Sequence, residues 1–162
     1  MKMRFQPKEK KKMKINANVI NECKITFLSK SKNESFSRMV TSGMVCQLNP
    51  LIDELSDIKT AVSEAVTNSI VHAYKSGVGK IDMLIRLYDN KTVYIRIKDY
   101  GCGIEDIDKA REPLFTTAPE QERAGLGFAV MESFMDKLDV KSVVGKGTTV
   151  TMVKRLSNTV TA

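Results

Sequence analysis

Apolar and polar residues alternate with a period of two in five segments of the chain, the pattern of β-strands that bury one face. The alternation is strictest over residues 92–98, where Val93, Ile95 and Ile97 are separated by polar or amphipathic residues. Ile25 and Phe27 alternate in the same way near the start of the chain. We therefore predict strands over residues 19–28, 80–88, 92–98, 140–144 and 148–154, with hairpin turns at Asp89-Asn90-Lys91 and Gly145-Lys146-Gly147.

Two other segments repeat apolar residues at the spacing of a helix. Asn33 is the predicted N-cap of a first helix that ends near Gln47, and Pro50 lies in the first turn of a second helix that reaches about Ser76, with Gly77 as its stop. Their predicted buried stripes are Phe36, Met39, Val40, Met44 and Leu48 in the first helix, and Leu51, Leu55, Ile58, Val62, Ala65, Ser69 and Ala73 in the second.

The segment from Tyr100 to Arg123 has short polar and glycine-bearing pieces, which predict a long loop, and a third helix is predicted over about 126–137. This order of elements predicts an α/β (α+β) two-layer sandwich, a mainly antiparallel mixed sheet with helices on one face. The phosphate-loop signature GxxxxGK[ST] is absent, and so is GxGxxG after a first strand. The two commonest nucleotide-binding folds are therefore disfavoured.

The charge of the chain is concentrated at its start. Of the formal net charge of +7, residues 1–14 contribute seven Lys or Arg against Glu9 alone. The remainder is nearly neutral, so we expect no direct nucleic-acid binding. We predict a basic, disordered tail over residues 1–14, one domain over 15–157 and a short C-terminal tail over 158–162.

Two further features bear on location. No apolar segment approaches the length that crosses a bilayer, and no membrane association is expected. The cysteines, Cys23, Cys46 and Cys102, have no metal-binding spacing, and their odd number does not suggest a secreted disulfide framework. We therefore expect a cytoplasmic protein.

Three short motifs carry the candidate chemistry. Glu64 and Asn68 are four residues apart, so they project from one helix face and can offer a carboxylate and an amide oxygen to one ligand, such as Mg²⁺. Gly101 and Gly103 follow Asp99 at a strand end, and Gly125 and Gly127 open a helix whose N–H groups favour phosphate. Taken singly, these motifs also fit a solvated helix face, an ordinary Asp-Gly turn and a plain loop-to-helix turn.

Taken together and in this order, the motifs resemble those of the Bergerat-fold (GHKL) ATPases, which include gyrase, ATP-driven chaperones and histidine kinases. Within that fold the chain looks closest to the anti-sigma-F factors of spore-forming bacteria, over about residues 18–157. The resemblance rests on four segments: Asn33-Glu-Ser-Phe-Ser-Arg38, Val62-Ser-Glu-Ala-Val-Thr-Asn68, Pro113-Leu-Phe-Thr-Thr117 and Glu122-Arg-Ala-Gly-Leu-Gly-Phe128.

The resemblance implies a role for each site residue. Asn68 would hold Mg²⁺ on the phosphates of ATP, and Glu64 would orient or deprotonate the attacking hydroxyl. Asp99 would accept the adenine amino group. The remaining nucleotide contacts implied are Gly101, Gly103, Thr116, Thr117, Arg123, Gly125, Leu126, Gly127 and Thr148.

The resemblance also implies partners. We expect an ATP- and Mg²⁺-dependent protein serine/threonine kinase that phosphorylates an anti-anti-sigma protein on serine and inhibits a sporulation sigma factor, sigma-F. Glu34 and Arg38, predicted on the outer face of the first helix, would contact the sigma factor, although a solvated i,i+4 ion pair explains them as well. A homodimer is also expected. The alternatives are a general-stress anti-sigma-B serine kinase and, less favoured, a histidine-kinase-type ATPase domain.

Overall fold

The computed structural model describes residues 13–112 and 126–157. Five strands form one sheet in the order β1-β2-β3-β5-β4, and each neighbouring pair is antiparallel. The predicted α/β sandwich and mainly antiparallel sheet are confirmed. The strands are β1 (Val19–Leu28), β2 (Lys80–Tyr88), β3 (Thr92–Asp99), β4 (Lys137–Val143) and β5 (Gly147–Arg155).

The helices cover one face of this sheet. They are α1 (Lys32–Val45), α2 (Ile52–Asn68), the short α3 (Ile107–Arg111) and α4 (Gly127–Phe134). A 3₁₀ turn, Cys46–Leu48, follows α1, and a π-helical turn, Ser69–Ala73, continues α2. Within the described ranges, no helix is long and apolar enough to cross a membrane.

The core lies between α2, α4 and the central strands. Ile58, Val62 and Val66 of α2 are fully buried against the same side of the sheet as Ile85 and Ile95. Their burial removes apolar surface from water, the main favourable term in folding. The residues that alternate with these along the strands, such as Arg86, Tyr94 and Arg96, lie on the opposite face of the sheet and are half-buried.

The prediction of a buried stripe on α1 is wrong for Phe36 and Met39, which lie in the first half of the helix. Met39 is 70% exposed and Phe36 is 43% exposed, whereas the small polar residues Ser37 and Thr41 are fully buried. Their hydroxyls bond to carbonyls of the preceding turn, Ser37 to Glu34 O and Thr41 to Ser37 O, which makes their burial acceptable. The helix is therefore rotated so that its narrow polar side meets α2.

The predicted helix ends also differ from the structure. Asn33 is not the N-cap, because α1 begins at Lys32 and the Asn33 amide donates to Leu28 O at 2.8 Å. Gly77 does not stop the second helix, because the chain leaves helical geometry at Tyr74, after Ala73 O accepts a hydrogen bond from Cys102 N.

The loop predicted after Tyr100 contains the unpredicted helix α3, capped by the Asp106 side chain at Lys109 N. The third helix ends at Phe134 rather than near 137. The backbone of Asp136 already donates to Val153 O, and Lys137 pairs with Val153 as the first residue of β4. Strand pairing thus ends this helix one turn earlier than its apolar pattern indicates.

Candidate functional site

Glu64 and Asn68 lie on the last turn and a half of α2, immediately before the π-helical turn. π-helical turns inside helices are rare and occur frequently at functional sites. Both side chains are half-buried and line a cavity of about 1200 Å³. The predicted sharing of one helix face by these two groups is confirmed.

The start of α4 closes against this pair. A Cβ atom placed on Gly127 would stand 3.2 Å from Glu64 Oε2 and 3.3 Å from both Asn68 Oδ1 and Nδ2. The first turn of a helix leaves N–H groups without partners inside the helix. A carboxylate, an amide and a glycine-lined helix start therefore meet at one wall of the cavity.

Asp99, at the end of β3, lies on another part of the cavity wall and is 4% exposed. Its Oδ1 accepts hydrogen bonds from Gly101 N at 3.1 Å and Thr148 N at 3.0 Å, and its Oδ2 accepts one from Ser69 Oγ at 3.2 Å. These three donors hold the carboxylate in one orientation, which suits recognition of a ligand donor.

The segment 99–103, called here the Asp99 loop, requires its glycines. A Cβ on Gly101 would stand 2.2 Å from Ala73 O, so only glycine lets the loop reach the π-helical turn. Gly103 has a φ of +74° and packs on Val143 O. Gly103 lines the cavity, whereas Gly101 lies behind the wall and shapes it.

Sequence reasoning missed two polar residues and one glycine that support this wall. Ser69 holds Asp99, Gly147 approaches Asp99 O so closely that a Cβ would stand 2.2 Å away, and Ser142 Oγ lies 2.8 Å from Thr148 Oγ1. Ser142 also accepts from Ile104 N at 2.8 Å. Ser69 had been assigned to the apolar stripe, and only its tertiary contact with Asp99 reveals a polar role.

Glu34 and Arg38 lie in different environments. Glu34 lines the same cavity as Glu64 and accepts a 2.5 Å hydrogen bond from Ser63 Oγ, so it faces α2 rather than solvent. Arg38 Nε lies 2.9 Å from the same Glu34 oxygen, although its N–H is not directed at that oxygen. The Arg38 side chain is 43% exposed as a whole, although its Nε is buried.

His72 lies in the π-helical turn and also lines the cavity. Burial, aided by the nearby ammonium of Lys75, lowers the pKa of His72 below its ordinary value. The imidazole is therefore predominantly neutral at physiological pH. Cys102 Sγ, in the Asp99 loop, donates weakly to His72 O at 3.2 Å.

The remaining predicted site residues divide into two groups. Leu126 is the N-cap of α4 and is 43% exposed, and Thr148 is buried at the cavity wall. Thr116, Thr117, Arg123 and Gly125 lie outside the described residues, so their predicted roles stay predictions.

The donor set fits Mg²⁺ held mainly through a ligand's phosphates. Across residues 13–112 and 126–157, no cluster of three His, Cys, Asp or Glu side chains could hold a metal by itself. Mg²⁺ usually keeps several waters and takes only one or two protein oxygens besides phosphate. The Asn68 amide oxygen, which faces Gly127 where no side chain stands, could provide such an oxygen.

Comparison with known proteins agrees with this geometry. A family described as the histidine kinase-like ATPase domain matches residues 38–154. An anti-sigma F factor of Caldanaerobacter subterraneus subsp. tengcongensis is 55% identical over 83% of this chain and 93% of its own length. Anti-sigma F factors of Anoxybacillus flavithermus and Clostridium perfringens are each 47% identical, over 85% of this chain and 94% and 98% of theirs.

Solved structures share the fold. The RsbU and RsbW domains of a Mycobacterium tuberculosis protein align with a TM-score of 0.61 at 20% identity, over 84% of this chain and 32% of that one. A blue-light activated histidine kinase of Erythrobacter litoralis aligns with a TM-score of 0.52 at 17% identity, over 76% and 42%. The match to the histidine kinase-like ATPase domain family shows that the domain is a GHKL-type ATPase domain.

Proposed function

Because the chain belongs to the anti-sigma F factor family and carries a histidine kinase-like ATPase domain, we propose that it binds and inhibits the sporulation sigma factor sigma-F and phosphorylates an anti-anti-sigma protein on serine. ATP is the phosphoryl donor and Mg²⁺ the metal. The protein acts in the cytoplasm as a homodimer, with residues 15–157 as its single domain.

One observation carries the kinase proposal: Glu64 and Asn68 converge on Gly127, while the triply hydrogen-bonded Asp99 stands on another wall of the same cavity. A nucleotide has a base at one end and phosphates at the other. The cavity has a fixed hydrogen-bond acceptor, Asp99, for the base. On a separate wall it has the Asn68 oxygen for a metal beside the start of α4, whose N–H groups suit the phosphates.

The chain's own groups divide the work of phosphoryl transfer. Asp99 accepts a hydrogen bond from the adenine amino group, and Thr148 lies beside it. Asn68 would hold Mg²⁺, which would neutralise charge on the phosphates. Glu64 orients the acceptor serine hydroxyl and takes its proton as the oxygen attacks, so no covalent enzyme intermediate is needed.

The partner surface is proposed on α1. Arg38 presents a guanidinium at the surface, and Glu34 behind it is anchored to α2 through Ser63. Glu34 also lines the cavity, and Ser63 is the residue before the proposed catalytic base Glu64, so the charge pair on α1 lies beside the cavity. Sigma-factor binding by Arg38 therefore takes place next to the nucleotide site.

The deciding experiment mixes the purified protein with labelled ATP, Mg²⁺ and a candidate anti-anti-sigma protein, and identifies the labelled residue. Label on serine, together with ATP-dependent capture of sigma-F, supports the proposal. Label on histidine would reassign the chain to histidine-kinase chemistry. Serine label with capture of a general-stress sigma factor, and not sigma-F, would favour the general-stress alternative.

A further inference from the structure

Tyr74 links the π-helical turn, the start of β2 and the loop that contains Asp99. It is the first residue after the π-helical turn that continues α2. Its hydroxyl donates a 2.5 Å hydrogen bond to Lys80 O at the start of β2 and accepts a 2.8 Å hydrogen bond from Tyr100 N. Tyr100 is the residue between Asp99 and Gly101, so this hydroxyl holds the Asp99 loop directly.

The ring of Tyr74 is held in one position by its packing on Gly79. It lies over Gly79, where a Cβ atom would stand 2.0 Å from ring atom Cε1, so any side chain at position 79 would displace the ring. Gly79 is itself pinned to the end of β1, because its N–H donates to Ser29 Oγ and its carbonyl accepts from Ser29 N. The hydroxyl therefore has little freedom to follow a moving loop.

The residue before Tyr74 adds a second attachment at the same place. Ala73 O accepts a hydrogen bond from Cys102 N at 2.9 Å, and it is the atom that Gly101 approaches most closely. Residues 100, 101 and 102 are thus all positioned by Ala73, the last residue of the π-helical turn, and by Tyr74, the residue after it. Of these attachments, the Tyr74 hydroxyl is the one made by a side chain, so it can be removed without changing the backbone.

The chemistry of the hydroxyl suits this task. Burial, with the carboxylates of Asp99 and Asp82 nearby, raises the pKa of Tyr74 above its ordinary value. The group therefore stays protonated at all physiological pH values and keeps its donor for Lys80 O. It makes one hydrogen bond as donor and one as acceptor.

We propose that Tyr74 is a positioning residue for nucleotide-base recognition, which sets the Asp99 loop against α2 so that the site discriminates an adenine from a guanine nucleotide. This inference rests on the proposed function, in which Asp99 accepts the adenine amino group. Guanine presents a carbonyl oxygen at the corresponding position, which a carboxylate repels. The discrimination therefore depends on how firmly the loop is held.

The test compares Tyr74→Phe with the wild-type protein. Phenylalanine keeps the ring over Gly79 and removes only the hydroxyl, leaving Tyr100 N–H and Lys80 O without this partner. The matched control is Tyr94→Phe, whose ring lies on the opposite face of the sheet under the Arg86 guanidinium, away from the cavity. Affinities for ATP and GTP are measured by calorimetry, with thermal unfolding and phosphotransfer measured in parallel.

We expect Tyr74→Phe to weaken ATP binding roughly three- to tenfold, the factor corresponding to the net loss of about one hydrogen bond, and to change GTP binding less. The ATP-to-GTP affinity ratio should therefore fall. KM for ATP should rise while kcat at saturating ATP stays near wild type, because Glu64 and Asn68 are untouched. Tyr94→Phe should leave the ratio unchanged.

Three outcomes would overturn the inference. An unchanged ATP-to-GTP ratio in Tyr74→Phe, with the wild type preferring ATP, would refute the role of Tyr74 and leave the proposed function standing. Equal losses for ATP and GTP together with a lower Tm would make Tyr74 a structural residue only. A wild-type protein that binds neither nucleotide, or prefers neither, would refute the proposed base recognition and this inference with it.

Discussion

The backbone of Gly127 lies against the carboxylate of Glu64, so closely that a Cβ at position 127 would stand 3.2 Å from Oε2. These residues are 63 positions apart in the chain. Their contact brings the start of α4 to the C-terminal end of α2 and thereby forms the wall of the cavity where we propose the phosphates bind.

Gly127→Ala should weaken ATP binding by about tenfold, equal to about 1.4 kcal/mol, because the added methyl group crowds Glu64 and Asn68. Calorimetric titration with ATP and Mg²⁺ measures the effect. The matched control is Gly43→Ala in α1, where a Cβ meets nothing within 4 Å. The control should keep ATP affinity and stabilise the fold by about 0.5–1 kcal/mol. If Gly127→Ala and Gly43→Ala bind ATP with similar affinities, Gly127 is not part of the nucleotide site.

Asn68→Ala should lower the affinity for ATP in the presence of Mg²⁺ by at least roughly tenfold, because a metal-ligating oxygen is lost. The fold should persist, since Asn68 is half-buried at the cavity rather than part of the core. The measurement is ATP titration with and without Mg²⁺, with Asn21→Ala on the exposed edge strand as control. A Mg²⁺ dependence identical to that of the wild type would contradict a ligand role.

Glu64→Gln should slow serine phosphorylation by about 10²–10⁴-fold while ATP still binds, because the amide keeps the shape of the side chain but cannot take a proton. Single-turnover transfer at saturating ATP measures the rate. If nucleotide binding is lost instead, Glu64 is a ligand or a structural group rather than the base.

Arg38→Glu should weaken sigma-factor binding by about 2–5 kcal/mol, because a charge-assisted contact across an interface is lost and repulsion replaces it. Titration of the sigma factor with ATP present measures this. Lys137→Glu, an exposed charge reversal at the start of the edge strand β4, is the control and should bind normally. Equal affinities for Arg38→Glu and wild type would remove this face of α1 from the interface.

The stability of the fold should decrease as the pH falls below about 6.5, the ordinary pKa of His72. Burial and Lys75 lower this pKa in the folded protein, so the unfolded chain takes up the proton first on acidification. The free energy of unfolding then decreases until the pH reaches the folded-state pKa. Urea unfolding at pH 7.5 and 5.5 measures the loss, which should be smaller in His72→Gln. The same pH dependence in both proteins would assign it to other groups.

Local patterns in the sequence were sufficient for four of the five described strands, whereas β4 begins at Lys137, three residues before its predicted start. Residues 93, 95 and 97 alternate as predicted because a strand in a two-layer sandwich buries every second side chain, whatever its neighbours are. The pairing of Glu64 with Asn68 is equally local, since residues four positions apart on a helix lie on the same face. The order of the motifs along the chain also indicated the ATPase fold, which the comparisons confirm.

Only the tertiary structure determined which face of α1 is buried and which residues of distant elements are in contact. In α1 the hydrophobic pattern pointed to Phe36 and Met39, yet Ser37 and Thr41 are buried, because close packing on α2 favours small side chains whose hydroxyls bond within their own helix. Ser69 becomes a partner of Asp99 only because β3 ends beside the π-helical turn. Sequence spacing determines which residues share an element, whereas contacts between distant elements depend on packing that no local pattern encodes.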